Sequence, residues 1–290
     1  MPKISPKPLK QHDLILAINP SGKVNVEKFL QGCKFLESKG FQVEVGKYAL
    51  SDYFKFAATH EERLQDLQWA LDHPNASAVF CGRGGFGVTH IIDSIDWSAF
   101  KNNPKWVIGY SDITVLHHAI YKQGYCSIHG PVLQNLHLHS AQDVNALIDL
   151  LKGKEYSSLI NEQYQKFQKL STEIIGGNLS MIVNQIGTSS EIDFEGKILF
   201  VEEVGEYLYH IDRMFLQLKR SGKLDQLKAL LVGEFVGMKE SMEVYGQDVK
   251  DIINYHCGSY DYPIVFDFPA GHGDRNMPFV HGYNVNSILE

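Results

Sequence analysis

The protein has 290 residues and a mass of 32.8 kDa, enough for two modest domains or one large α/β domain. Hydrophobic residues make up 44% of the chain and charged residues 21%, which excludes a disordered, collagen-like or low-complexity protein. The net charge is −7 and no run is rich in Lys and Arg, so neither a nucleic acid nor an acidic membrane is an expected partner. A small molecule or a peptide is the better candidate.

Up to about residue 135, short β-rich apolar runs alternate with helical stretches, a pattern typical of parallel strands joined by crossover helices. The predicted strands are residues 13–19, 41–48, 76–82, 106–110 and 125–129. The predicted helices lie near residues 24–39, 60–72, 86–95 and 112–123. The helix at 60–72 has the clearest start, because Thr59 and Glu62 have the spacing of a capping box. We therefore predict a doubly wound parallel sheet within residues 1–140.

Residues 141–172 are mostly polar and weakly periodic, and they are predicted to link this lobe to a second one. The second lobe, residues 173–290, begins with the apolar segment GGNLSMIVNQIGT. Its predicted strands are residues 197–201, 229–234, 264–268 and a strand-like tail at 279–289, and its predicted helices are 207–221 and 248–256. The fold class expected from this order is α/β.

The N-terminal segment MPKISPKPLKQHD carries positive charge but lacks the apolar stretch and the cleavage site of a secretory signal. No window reaches the ~20 apolar residues that a membrane-spanning helix needs. The four cysteines form no C-x-x-C pair, so neither a zinc knuckle nor a disulfide framework is indicated. The sequence therefore predicts a cytoplasmic protein with reduced thiols, and it places Cys81 in a buried strand.

A glycine-rich turn from Gly82 to Gly87 follows the third strand and fits the pattern G-x-G-x-x-G. A dinucleotide-binding fold also needs an acidic residue about 20 residues further on, but position 102 is Asn and the next strand ends at Tyr110. NAD or flavin binding is therefore disfavoured, and no cofactor is predicted. Glycines also let backbone N–H groups approach a ligand closely, as an oxyanion hole requires. A tight turn without chemistry is the alternative.

Ser111 stands where the strand at 106–110 changes to a helical pattern, at the end of a parallel sheet where α/β enzymes place ligands. A sharp corner there projects a hydroxyl outward, while the following amides and the helix dipole favour negative charge. The segment is not a complete nucleophile elbow, because Ile113 stands where G-x-S-x-G needs glycine. Ser111 is thus either a candidate nucleophile or the N-cap of the helix.

Among the 13 histidines, His272 is the most informative. It follows a predicted strand between Gly271 and Gly273, an arrangement that exposes an imidazole as a general base requires. A surface loop histidine is the alternative. The pair His137-x-His139, without an H-E-x-x-H motif, is a loose signal, so no metal site is predicted.

Three acids, Glu202, Glu203 and Glu206, follow an apolar strand. Burial of an ionised carboxylate is costly unless it is paired, so an acid in this position indicates a hydrogen-bonded role such as orienting an imidazole. A solvated turn would carry the same residues, and the pattern leaves the choice among the three open.

Together these segments resemble the L,D-carboxypeptidase family of serine peptidases, the muramoyl-tetrapeptide carboxypeptidases, which includes the microcin-immunity peptidases. The resemblance runs through most of the chain. Its motifs, in order, are INPSG at 18–22, RGGFG at 83–87, IDW at 95–97, GYSD at 109–112, HGP at 129–131, GGNL at 176–179, Glu202 with IDRM at 211–214, and GH at 271–272. The first departs from the family, which tends to have Ala-Pro-Ser-Gly.

The resemblance implies a flavodoxin-like parallel-sheet N-terminal lobe, a smaller mixed β/α C-terminal lobe, and a Ser-Glu-His triad between them. It assigns the nucleophile to Ser111, the orienting acid to Glu202 and the general base to His272. The oxyanion hole would be the backbone N–H groups of Gly85 and Asp112. The implied reaction releases terminal D-Ala from a cytoplasmic murein tetrapeptide, and members are commonly homodimers.

An exopeptidase also needs a partner for the free carboxylate of its substrate, and Arg83 is the candidate here. A structural salt bridge is the alternative role for this residue.

Two other functions remain open from the sequence. A microcin-immunity type of peptidase would cleave peptidyl-nucleotide or aminoacyl-nucleotide antibiotics, but the segment 235–255 is short for the extended nucleotide-gripping loop of that branch. Outside enzymes, the same scaffold could serve as a non-catalytic module that binds a small ligand.

Overall fold

The computed structural model of the protein describes residues 3–154 and 170–284. The strands are β1 (Leu14–Ile18), β2 (Gln42–Val45), β3 (Ala76–Cys81), β4 (Trp106–Gly109), β5 (Ser127–His129), β6 (Ile174–Asn178), β7 (Ile198–Val204), β8 (Ala229–Val236), β9 (Ile264–Val265) and β10 (Phe279–His281). The α-helices are α1 (Val26–Ser38), α2 (His60–Asp72), α3 (Ser98–Asn102), α4 (Thr114–Lys122), α5 (Ala141–Leu151), α6 (Leu179–Asn184), α7 (Leu208–Arg220) and α8 (Val249–Cys257).

The first sheet has the strand order β10-β5-β4-β3-β1-β2. All of its neighbours are parallel except β10, which runs antiparallel to β5. Helices cover both faces: residues of α1 and α5 bury against one side, and residues of α2 and α4 against the other. A strand buried on both sides is apolar throughout rather than alternating, as in β4. The doubly wound α/β prediction is confirmed.

The second sheet has the order β6-β7-β8-β9 and is parallel throughout. One of its faces packs against α6, α7 and α8. The other face, with Phe200 at its centre, packs against Phe279 of β10 and His129 of β5. The C-terminal sheet is thereby seated on the edge of the N-terminal sheet.

The capping box at the start of α2 is confirmed: the Thr59 hydroxyl accepts from the Glu62 N–H at 3.3 Å, and the Glu62 carboxylate accepts from the Thr59 N–H at 3.1 Å.

All four cysteines are buried and unpaired, with Cys81 at the end of β3. No helix within residues 3–154 and 170–284 has both the length and the apolar composition needed to cross a membrane.

The helix predicted near residues 86–95 is wrong. The chain there forms two short 3-10 turns, Val88–His90 and Ile92–Ser94, separated by Ile91 at φ −121°. β-Branched residues dominate this stretch, and their restricted side chains weaken an α-helix.

The stretch predicted as a link, residues 141–172, begins with the helix α5 instead of an irregular connection. Val144, Leu147, Ile148 and Leu151 recur at helical spacing and are buried against the first sheet. Residues 155–169 of this stretch lie outside the described residues.

The predicted tail at 279–289 forms a strand over Phe279–His281, and residues 285–290 lie outside the described residues. This strand leaves the second lobe and pairs with β5 of the first sheet. No feature of the sequence indicates which sheet it joins. Its return places residues 279–281 against the lobe that carries Ser111.

A group of four buried histidines occupies the junction of the lobes: His117 and His118 on α4, His129 on β5, and His281 on β10. The ring of His281 lies 5.7 Å from that of His117 and 5.5 Å from that of His118. Burial lowers the pKa of His117 to about 4 and the pKa of His118 to about 3. Burial also lowers the pKa values of His129 and His281 well below their usual range.

These histidines predict a steep loss of stability in mild acid. The unfolded chain binds protons at these residues below pH ~6.5, whereas the folded protein does not, so the free energy of unfolding falls with pH by ~1.4 kcal/mol per pH unit for each of them. We expect the urea midpoint to be constant above pH 7 and to fall steeply between pH 6.5 and 5. The change His129→Phe, which keeps the ring stacked on Phe279 at 4.7 Å, should reduce this slope. The exposed His137→Gln should not, and equal slopes in the two variants would contradict the assignment.

Candidate active site

Ser111 occupies the corner between β4 and α4 in a strained conformation. Its φ is +66°, in the left-handed region that a residue with a Cβ rarely adopts. It opens a 3-10 turn, Ser111–Ile113, that leads directly into α4. Its hydroxyl caps neither the turn nor the helix, so the N-cap alternative is wrong. Strain held at a half-buried serine at the end of a parallel sheet is typical of a functional residue.

The glycine turn packs directly on this corner. A Cβ added to Gly84 would lie 2.6 Å from the Ser111 Cβ and 2.9 Å from its Oγ. Gly85 follows at φ +113°, a conformation that glycine adopts without steric cost. Neither the Gly85 N–H nor the Asp112 N–H donates a hydrogen bond to any residue that the structure describes. Both N–H groups thus lack a hydrogen-bond acceptor within the described residues.

The side chain of Asp112 has a role that the sequence did not reveal. It is buried, and its Oδ2 accepts hydrogen bonds from the Ser21 hydroxyl at 2.5 Å and the Val88 N–H at 3.0 Å. Burial raises the pKa of this carboxyl, and these hydrogen bonds partly oppose the rise. Asp112 thus connects the first loop, through Ser21, and the end of the glycine turn, through Val88, to the corner at Ser111.

Arg63, which the sequence analysis did not identify, also holds the first loop and the glycine turn. Its guanidinium is buried, and Nη1 donates to the Pro20 carbonyl at 2.6 Å and to the Gly87 carbonyl at 2.9 Å. The group also stacks on the ring of Phe56, 4.9 Å from its centroid. An arginine on the inward face of α2, where an apolar residue is expected, is the signal that could have identified it.

Glu202 and His272 are brought together. Glu202 is completely buried near the end of β7, where pairing with β8 shifts register between Val201 and Glu203. Such a bulge can redirect a side chain. The Glu202 Oε2 and the His272 Nδ1 are 2.6 Å apart. The hydrogen bond leaves Nε2 as the nitrogen available for chemistry.

The environment of His272 favours its protonated form. Burial by itself lowers the pKa of this imidazole, but the adjacent Glu202 carboxylate, together with Glu203 and Glu234, outweighs burial, so the pKa is raised above its usual value of 6.5. Only 15% of the side chain is exposed.

Tyr110 brings this pair to the serine corner. The ring of Tyr110 lies 4.8 Å from that of His272, and its hydroxyl accepts a hydrogen bond from the Asn135 amide at 3.0 Å. Since Tyr110 directly precedes Ser111, the imidazole lies near the serine corner. Within the described residues no hydrogen bond joins the Ser111 hydroxyl to His272.

The three acids after the apolar strand prove to have different partners. Glu203 accepts hydrogen bonds from the Asn178 amide, from the backbone and hydroxyl of Ser180, and from its neighbour Val204. It therefore holds the start of α6. Glu206 pairs with His210 at 2.6 Å. Glu202 is the one of the three that contacts His272.

A further acid, Glu234, lies close to His272 and was not singled out from the sequence. Its Oε2 accepts the Gly273 N–H at 2.6 Å, and burial raises the pKa of this carboxyl. The signal was present, because Glu234 stands in the last part of an apolar strand just as Glu202 does.

Arg83 lies on the rim of the glycine turn. Its side chain is exposed and donates from Nη1 to the Lys23 carbonyl at 2.6 Å. No ion pair involving Arg83 is formed within residues 3–154 and 170–284. Over the same residues, no group of three or more His, Cys, Asp or Glu side chains is arranged to hold a metal ion.

Several known proteins are similar to this chain over most of its length. The probable murein peptide carboxypeptidase of Bacillus subtilis is 34% identical over 92% of this chain and 86% of its own. The microcin C7 self-immunity protein MccF of Escherichia coli is 27% identical over 78% of this chain and 77% of its own. The crystal structure of muramoyltetrapeptide carboxypeptidase from Oxalobacter formigenes superposes with a TM-score of 0.79 at 27% identity, covering 93% of this chain and 92% of that one.

Family profiles match both lobes. Residues 15–130 match the LD-carboxypeptidase N-terminal domain, and residues 171–286 match the LD-carboxypeptidase C-terminal domain. The two matched ranges contain the serine corner and the Glu202–His272 pair respectively. This chain belongs to the LD-carboxypeptidase family.

Proposed function

We propose that the protein is a serine carboxypeptidase that hydrolyses an L,D-amide bond and releases the terminal D-Ala of a murein tetrapeptide. The proposal rests on the position of Ser111 next to a hydrogen-bonded Glu202–His272 pair. Ser111 is strained and its hydroxyl caps no helix, and the preceding residue, Tyr110, contacts the imidazole of His272. The names of the relatives supply the substrate class.

In the proposed mechanism, the His272 Nε2 removes the proton of the Ser111 hydroxyl as its oxygen attacks the carbonyl carbon. Glu202 holds the Nδ1–H tautomer and stabilises the imidazolium that forms. The N–H groups of Gly85 and Asp112 receive the oxyanion. His272 then protonates the departing amine of D-Ala, and a water molecule hydrolyses the acyl-enzyme.

The hydrogen bond from Ser111 to His272 forms on substrate binding in this proposal. Catalytic hydrogen bonds are often long without substrate and tighten in the Michaelis complex. The exposed guanidinium of Arg83, at the rim of the turn that carries Gly85, is the proposed partner for the free carboxylate of the substrate.

The raised pKa of His272 predicts the acid limb of the pH profile. A protonated imidazole cannot accept the serine proton. As the pH drops below the pKa of His272, which lies above 6.5, kcat/KM should therefore fall. The change Glu234→Gln removes one carboxylate that raises this pKa while keeping an oxygen for the Gly273 N–H. We expect it to move the limb to lower pH. A wild-type limb at or below pH 6.5, measured between pH 5 and 9, would contradict this account of the site.

The substrate is tested by incubating the protein with murein tetrapeptide and detecting the tripeptide and D-Ala by mass. A parallel incubation with an aminoacyl sulfamoyl nucleoside tests the immunity type of activity. The connection between β8 and α8, residues 237–248, is short, which favours the murein peptide. Cleavage of the nucleoside alone would replace the proposed substrate, and cleavage of neither would favour a binding module.

We also propose that the protein acts in the cytoplasm as a homodimer. Four buried, unpaired cysteines agree with a reducing compartment. Met242, Val244 and Tyr255 expose most of their side chains, and exposed apolar side chains often mark contact surfaces. Sedimentation equilibrium tests the dimer, and a monomer at micromolar concentration would exclude it.

A further inference from the structure

The loop that carries His272 is tied to the opposite lobe by an ion pair. Arg275 donates from Nε and Nη2 to the two oxygens of Asp143, at 2.8 and 2.7 Å. Asp143 lies in the first turn of α5, in the N-terminal lobe, and is completely buried. A two-point contact between a guanidinium and a carboxylate fixes orientation as well as distance.

The same carboxylate also holds the backbone of the loop. The Asp143 Oδ2 accepts the Asn276 N–H at 3.1 Å. Asn276 is itself buried, and its Oδ1 faces the Gly271 N–H at 3.4 Å. The loop is therefore closed on itself around His272, and its closed end is fastened to α5.

The supports of His272 come from both lobes. Glu202 and Glu234, both on the second sheet, hold the imidazole and the Gly273 backbone. Asp143 holds the following part of the loop from the lobe that carries Ser111. The Glu202 contact sets the tautomer and the ring orientation, and the Glu234 contact holds the backbone next to the imidazole. The Asp143 contact relates the loop to the lobe that carries Ser111.

We propose that the Asp143–Arg275 ion pair positions His272 relative to Ser111 and thereby controls the proton-transfer step. The inference rests on the proposed function, and it makes Asp143 and Arg275 positioning residues that do not touch the reacting atoms. A displacement of about 1 Å between reacting groups can lower a rate by about 10²-fold. The pair should therefore act on kcat and leave KM nearly unchanged.

The principal test is the change Asp143→Asn. The asparagine keeps the shape and an oxygen for the Asn276 N–H, while the half-exposed Arg275 remains solvated. We expect kcat for D-Ala release to fall by about 10²-fold with KM within twofold. The acid limb of kcat/KM should stay in place, because the Glu202–His272 pair is untouched. Arg275→Lys, which keeps the charge but loses the fork, provides a second variant and should show a smaller loss of kcat.

A matched control separates positioning from general lobe packing. The Tyr121 hydroxyl donates to Glu173 at 2.6 Å and also joins α4 to the start of the second lobe, but it does not contact the His272 loop. Tyr121→Phe should leave kcat unchanged. An equal loss of kcat in Tyr121→Phe and Asp143→Asn, or an unchanged kcat in a folded Asp143→Asn protein, would overturn the proposal.

A second readout does not depend on the peptide substrate. An organofluorophosphonate forms a bond from the Ser111 Oγ to phosphorus, releases fluoride and transfers the serine proton to His272. We expect Asp143→Asn to slow this labelling by a factor similar to its effect on kcat. If the wild type is labelled but does not release D-Ala, the proposed substrate fails while the positioning role is still measured. Equal labelling rates in the wild type, Asp143→Asn and Arg275→Lys would refute the positioning role.

Discussion

The change Ser111→Ala is expected to abolish D-Ala release, with kcat falling by on the order of 10⁴-fold or more. Without the hydroxyl no acyl-enzyme can form, and the remaining oxyanion donors support only slow attack by water. The measurement is the rate of tripeptide formation by mass, with folding followed by circular dichroism. Ser241→Ala, at an exposed serine, should retain full activity. Normal turnover by a folded Ser111→Ala protein would exclude the proposed nucleophile.

The strain at this corner offers a control on the same residue. Ser111→Gly should be as inactive as Ser111→Ala, but only glycine adopts φ +66° without steric cost. We expect the glycine variant to be more stable than the alanine variant by about 1 kcal/mol, measured by urea unfolding. Equal stability of the two would show that the corner stores no strain.

The change Glu202→Gln should lower kcat by about 10⁴-fold while KM changes little. An amide cannot stabilise the imidazolium as a carboxylate does, and it can present its NH₂ group to His272 and select the wrong tautomer. The matched control is Glu206→Gln, which alters another acid of the same run whose partner is His210. Activity should survive in the control. Comparable losses in both variants would contradict the distinct role of Glu202.

The architecture explains why a site of this kind needs two lobes. Ser111 depends on the glycine turn and on Asp112 within the first lobe, whereas Glu202 and His272 belong to the second. At the junction, the Asn178 N–H donates to the hydroxyl of Thr114 at 3.0 Å, at the start of the helix after Ser111. A small change in lobe placement would therefore alter the distance from serine to imidazole without disturbing either half of the site.

The sequence by itself determined the alternation of strands and helices in the first lobe, the capping box of α2 and the burial of Cys81 in β3. These features depend on local periodicity and local hydrogen bonds, which a short window of residues contains. The motifs around Ser111, Glu202 and His272 also identified the family. The helix predicted near 86–95 was wrong because its β-branched residues favoured two 3-10 turns in contact with the glycine turn.

The local pattern left three neighbouring acids open and the family resemblance assigned Glu202, which the structure places in contact with His272. Only the tertiary structure decided which sheet receives β10 and how the His272 loop is tied to α5. Those outcomes depend on contacts between residues far apart in the chain, such as Asp143 with Arg275. A buried charge is tolerated where a partner neutralises it, and the partner is supplied by the fold rather than by neighbouring residues. Local pattern therefore predicts the candidate groups, and long-range packing selects among them.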